Sequence, residues 1–190
     1  MNYIKNYFRI NFSYNFYYLF IFYIALIINS YVFYSTLLFS ADAYYYFAIA
    51  QNLLDGRGFT FDGVSITTGF HPLWLGLSVV MLFVSNDMQS FHLVVIIVLT
   101  ILFICAHFLL SRVAMKNGIP LMVFILLSIP IFFVNLSVFL SGLENTLLLF
   151  LFSLFLWLHY QSFFKKHTKF ILIIFILILI YLTRLDSIFL

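Results

Sequence analysis

Charge is what this chain has least of. Fifteen side chains out of 190 are formally ionised, six acidic and nine basic, which is 8% of the sequence. A water-soluble domain carries roughly a quarter, so an ordinary soluble globule is excluded. Cysteine is nearly absent too: Cys105 stands alone inside an apolar run and cannot close an intrachain disulfide. No Cys/His spacing resembles a metal site, no glycine-rich loop of the nucleotide-binding kind is present, and no serine sits in a nucleophile elbow. Low-complexity linkers and internal repeats are missing as well. What remains is apolar: 65% of the residues are hydrophobic, and Phe and Tyr contribute 27 and 13. With a mean hydropathy of +1.15, most of the chain calls for lipid as its solvent. Part of the aromatic excess can reflect AT-rich codons, so abundance alone is not read as function. A net charge of +3 records loop orientation rather than a nucleic-acid partner, because basic residues gather on the cytoplasmic side of membrane proteins.

A helix needs about 20 apolar residues to cross the hydrocarbon core. Segments of that kind are Phe16–Phe39, Phe91–Leu110, Ile119–Leu140 and Thr146–Phe164, with a fifth from Phe170 toward Leu190 that Arg184 interrupts. The run Pro72–Ser85 is short for a crossing. If it does not cross, Lys5, Arg9, Arg112, Lys116, Lys165, Lys166 and Lys169 all face the cytoplasm, leaving Arg57 and Arg184 outside. If it crosses, the later basic clusters face outward, against the positive-inside bias. The expectation is therefore an all-α polytopic membrane protein, one domain over residues 1–190. It has about five transmembrane helices, a cytoplasmic N-terminus in the cell membrane, and an outer loop over 40–90 carrying an amphipathic and an interfacial helix. Phe16–Phe39 is longer than a signal-peptide core of about 7–15 residues, which favours an uncleaved signal anchor.

The outer loop carries most of the chemistry. Ser40 or Asp42 can cap a helix in which Ala43, Tyr46, Phe47, Ala50, Leu53 and Leu54 recur at helical spacing, with Gln51 and Asn52 off that stripe. Gly56 stands where a helix-ending glycine belongs. Asp55 and Asp62 read as turn residues, and Asp87 beside Asn86 as the cap of the next helix. Asp42, at the junction of the first span and the surface helix, reads either as a cap or as a functional acid. Glu144 lies in the short outer turn Ser141-Gly142-Leu143-Glu144-Asn145 between long apolar helices. Acids at such depth are costly and tend to be functional, although a solvated hairpin turn carries equal weight. Topology puts Asp42 and Glu144 on one face of the membrane, with Arg184 and Asp186 approaching the same side. His71 precedes Pro72 at that surface. His107, inside a span, reads as a buried hydrogen-bonded group rather than a ligand.

Ala41 to Trp74, ADAYYYFAIAQNLLDGRGFTFDGVSITTGFHPLW, resembles the first outer loop of polytopic GT-C glycosyltransferases, the superfamily of protein O-mannosyltransferases and the lipid A aminoarabinose transferase. Ser141–Glu144 (SGLE) and Thr183–Asp186 (TRLD) resemble two further elements of that family, in the same order. The resemblance implies transfer of a sugar from a polyprenyl-phosphate carrier to an acceptor at the outer face, with membrane lipid and the lipid-linked donor as partners. It implies that the first-loop acid, Asp42, is the general base for an inverting attack, and that Glu144 positions substrate or a divalent metal. Arg57 and Arg184, the outer cations, are candidates for the donor phosphate, and His71 and Asp186 join them as substrate-binding candidates. Two features depart from the family. Its members carry tandem acids, and the first of them aligns with Ala41. They also have more spans, so the expectation is an N-terminal part or truncated form, with an inactive homologue as the alternative and a small transporter component as a third reading.

Overall fold

The structure, a computed structural model, describes Ile24 and residues 39–85, 87–128, 138, 141–162 and 164–184. Among these residues it is all-helical, apart from an isolated antiparallel bridge between Thr60 and Ile66. Five helices are described throughout: α1 (Ala41–Leu54), α2 (Pro72–Phe83), α3 (Met88–Lys116), α4 (Asn145–Tyr160) and α5 (Lys166–Thr183). Residues 121–128 are helical as well.

Two of these helices, α3 and α5, are long and apolar enough to cross a membrane. At about 1.5 Å per residue, the 29 residues of α3 extend roughly 43 Å, more than the ~30 Å hydrocarbon core. The five expected spans are thus reduced to two among the described residues. The Phe16–Phe39 segment lies outside the description except for Ile24 and Phe39, as does most of the second half of Ile119–Leu140. The expected Thr146–Phe164 span ends early: α4 stops at Tyr160 after 16 residues. Gln161 leaves the helix with extended backbone (ψ 134°). Two lysines hold that end, Lys116 Nζ donating to the Tyr160 carbonyl and Lys169 Nζ to the carbonyls of His159 and Gln161. Cations on terminal carbonyls satisfy orphan acceptors and complement the helix dipole. The short run at Pro72 forms a 12-residue helix, with proline at its first position, where a missing N–H costs nothing.

Local chemistry explains the other ends. Ser40 caps α1, its Oγ accepting from the Ala43 N–H at 3.2 Å. Asp87 caps α3 in a capping box with Ser90, the Asp87 carboxylate accepting the Ser90 N–H at 2.7 Å. That bond holds the Asp87 carboxyl below its usual range. After α1, Gly56 adopts φ 77° as a helix-ending glycine does. The Asp62 carboxylate accepts from the N–H groups of Ser65 and Val64, which likewise lowers its carboxyl.

The core runs through α1, α2, α3 and α4 and takes in Ile176 and Ile180 of α5, with the buried Trp74, Phe47, Phe91, Val95 and Leu99 at its centre. α3 packs chiefly on α4, α4 on α5, and α2 on α1. One expectation about α1 needs correction. Asn52, read as off the apolar stripe, is buried, while Leu54 is exposed. The Asn52 amide donates to the carbonyls of Thr60 and Phe61 at 2.9 and 3.1 Å. It thereby satisfies the backbone of the loop that carries the chain back toward His71. His107 matches its expectation: buried within α3, with Nδ1 3.1 Å from the Phe103 carbonyl.

Candidate functional site

Three chain segments meet at the N-terminal end of α4. The first is the start of α1, which is tied to the turn before α4 by a backbone hydrogen bond from Ser40 N–H to the Ser141 carbonyl, 2.9 Å. That close approach depends on Gly142. Its φ is +79°, and an added Cβ would lie 2.7 Å from Phe39 Cδ1 and 2.8 Å from Ala43 Cβ, so glycine is the residue that fits. The second segment is His71, the residue that precedes α2. The third is Arg184, just past the end of α5.

Between them lies a cavity of about 530 Å³ lined by Asp42, Tyr45, Tyr46, Gly69, His71, Leu143, Glu144, Asn145 and Arg184. The lysine cluster described above is at the other end of α4, so acids and lysines are separated by the length of that helix. Asp42 is exposed in the first turn of α1, whereas Glu144 is buried. Glu144 occupies the cap position of α4, yet its side chain does not cap the helix. It turns to His71 instead, with Nε2 of the imidazole 3.5 Å from Oε1 of the carboxylate.

Tyr46 anchors His71 from the α1 side. Its hydroxyl accepts the His71 backbone N–H at 3.3 Å, and the two rings stack with centroids 6.2 Å apart. Burial, together with the negative charge of Glu144, pushes the Tyr46 phenol up to about 12; both effects disfavour a phenolate. Tyr45 forms the neighbouring wall. Its ring stacks on Phe61 at 5.0 Å, and its hydroxyl donates to Thr67 Oγ1 at 3.3 Å.

Of the site residues singled out in the sequence, the cavity gathers Asp42, His71, Glu144 and Arg184. Arg57 is not among its lining residues: it is exposed in the loop after α1 and paired with Asp55. Asp186 lies outside the described residues. Tyr45, Tyr46, Gly69, Leu143 and Asn145 were missed. The Tyr44-Tyr45-Tyr46 run was a visible signal for two of them, discounted because aromatics are abundant throughout and because Tyr46 fits the apolar stripe.

The donor set does not suit a divalent metal. Among the described residues no three His, Cys, Asp or Glu side chains come together as ligands, and hard cations of the Mg²⁺ or Ca²⁺ kind take several oxygens. The cavity instead offers two carboxylates, an imidazole and a guanidinium around a polar space, a set suited to a molecule with both hydroxyl and anionic groups. Compared with protein-family models, with curated proteins and with solved structures, the chain matches none.

Proposed function

We propose that the chain is a membrane glycosyltransferase, or the N-terminal part of one, that moves a sugar from a polyprenyl-phosphate carrier to an acceptor hydroxyl at the outer face of the cell membrane. The observation that carries the reading is the convergence of Asp42, Glu144 and Arg184, far apart in the chain, on one cavity. Those are the elements in which the sequence resembles GT-C enzymes. In this reading the Arg184 guanidinium engages the donor phosphate, and a carboxylate accepts the acceptor's proton. The hydroxyl oxygen attacks the anomeric carbon, the bond from that carbon to the phosphate oxygen breaks, and its electron pair leaves with the polyprenyl phosphate. A base must lie within hydrogen-bond reach of the hydroxyl, and exposed Asp42 is the acid open to an incoming acceptor.

The topology belongs to the same proposal. Lys116 and Lys169 lie at the end of α4 opposite the cavity. Assigning that end to the cytoplasm agrees with the positive-inside bias and puts the cavity at the outer face. An inactive homologue is the second reading, favoured by Ala41 where the family carries an acid.

The test is transfer of labelled sugar from polyprenyl-phosphate sugars by membranes containing the full chain. Asp42→Asn and Glu144→Gln are each expected to lower kcat at least 100-fold, in line with loss of a positioned acid or base. Transfer by the parent chain that neither substitution changes would refute the assignment. No transfer by the parent from any such donor would favour the inactive homologue.

A further inference from the structure

We infer that His71 is a positioning residue, which holds the Glu144 carboxylate in its place on the cavity wall, rather than a group that binds substrate directly. The inference rests on the glycosyl-transfer reading for its functional consequence and on geometry for the contact itself.

Glu144 is 6% exposed, and a carboxylate so placed needs a polar partner. Among the described residues, His71 is the one side chain within ion-pair or hydrogen-bond distance of it. Capping would be the obvious alternative for an acid at the start of α4, but the Glu144 side chain makes no cap hydrogen bond. Its direction is therefore set from across the cavity.

His71 is itself held on three sides. Pro72 fixes the backbone that follows it, and its N–H is taken by the Tyr46 hydroxyl at 3.3 Å. Its ring lies against Tyr46 at an interplanar angle of 23°. The sequence of contacts thus runs from α1 (Tyr46) through the residue before α2 (His71) to the turn before α4 (Glu144). It joins three elements at this cavity. Among the described residues Asp42 has no such support: it is an exposed first-turn residue of α1. The two acids accordingly differ in kind. Glu144 is pre-placed by the fold, while Asp42 is free to adjust to an acceptor.

The test uses the full chain in its membrane with three variants, His71→Leu, His71→Gln and Glu144→Gln, and the double variant H71L/E144Q. Gln keeps an N–H donor near the position of Nε2, and Leu does not. In transfer assays with polyprenyl-phosphate sugar, H71L is expected to lose at least tenfold in kcat while its KM for the donor stays within twofold. H71Q should return to within threefold of the parent, and the double variant should be no worse than E144Q alone. A substrate-free arm reads the same contact: in detergent, the melting-temperature losses of H71L and E144Q should be non-additive. Independent effects that multiply in kcat, a donor KM that rises in H71L, or H71Q as impaired as H71L would overturn the inference. If the parent transfers no sugar from any such donor, the glycosyl-transfer reading falls. The melting-temperature cycle then decides the contact, and additive losses overturn it.

Discussion

The Ser40 amide and the Ser141 carbonyl, 101 positions apart in the sequence, share a 2.9 Å hydrogen bond. It closes the start of α1 onto the turn before α4, and with it Asp42 and Glu144 come to one cavity. Everything chemical about this end of the molecule depends on that closure, and Gly142 makes it sterically possible.

Gly142→Ala should therefore open the site. The new methyl group meets Phe39 and Ala43 at 2.7 and 2.8 Å, and the backbone stays at φ +79°. Left-handed strain and overpacking together cost roughly 2–4 kcal/mol. The expected result is a lower melting temperature in detergent, together with loss of transfer. Gly118→Ala is the control. It shares a positive φ of +83° but has no heavy atom within 4 Å of its added Cβ, so it should cost distinctly less.

Tyr46 predicts an alkaline signature. Its phenol is ordinarily near 10.0 and is pushed up to about 12 in the fold by burial and by Glu144. Between those values the unfolded chain releases the proton while the folded chain keeps it. Stability from this group is complete below pH 10 and is lost as the pH rises toward 12. Tyr46→Phe should flatten the fall in melting temperature over that window relative to the parent chain. An unchanged slope would remove Tyr46 as its source.

The two cations proposed for the donor phosphate separate by position. Arg184 lines the cavity, while Arg57 is exposed and paired with Asp55. Arg184→Ala should raise the KM for the polyprenyl-phosphate donor at least tenfold, in line with loss of a charge-assisted contact of about 1.5–3 kcal/mol. Arg57→Ala should change it less than twofold. Donor titrations on the two variants decide between them.

How much of this was legible in the sequence depended on how local the signal was. The Asp87 cap, the glycine after α1 and the short helix from Pro72 follow from interactions within a few residues and stand in the structure; of the two caps open for α1, Ser40 is the one formed, with Asp42 in the first turn. Helix length was less legible. The expected span ran on to Phe164, but α4 ends at Tyr160, before Gln161 and Ser162, where lysines from α3 and α5 cover its terminal carbonyls. The polar Gln161-Ser162 pair marks that end locally, but the lysine contacts that hold it are tertiary and leave no mark in hydropathy. Asn52 was misplaced for a similar reason: a polar side chain is buried when distant carbonyls receive it, as those of Thr60 and Phe61 do. Within the site, charged groups were visible because charge is rare in this chain. Tyr45 and Tyr46 were hidden among forty aromatic Phe and Tyr residues. Charge and position alone did not reveal that Asp55, two residues before it, engages Arg57.

Single-cysteine labelling tests most directly whether the two acidic segments share one aqueous space. In a Cys105→Ala background, cysteine is placed at Asp42 and, in place of buried Glu144, at its half-buried neighbour Asn145. Sealed cells are then treated with a membrane-impermeant maleimide. Both positions should label from outside, and the chain carrying both cysteines should be cross-linked by a short bis-maleimide. Labelling of one position only after the membrane is broken, with no cross-link, would put the two segments on opposite sides and contradict the account.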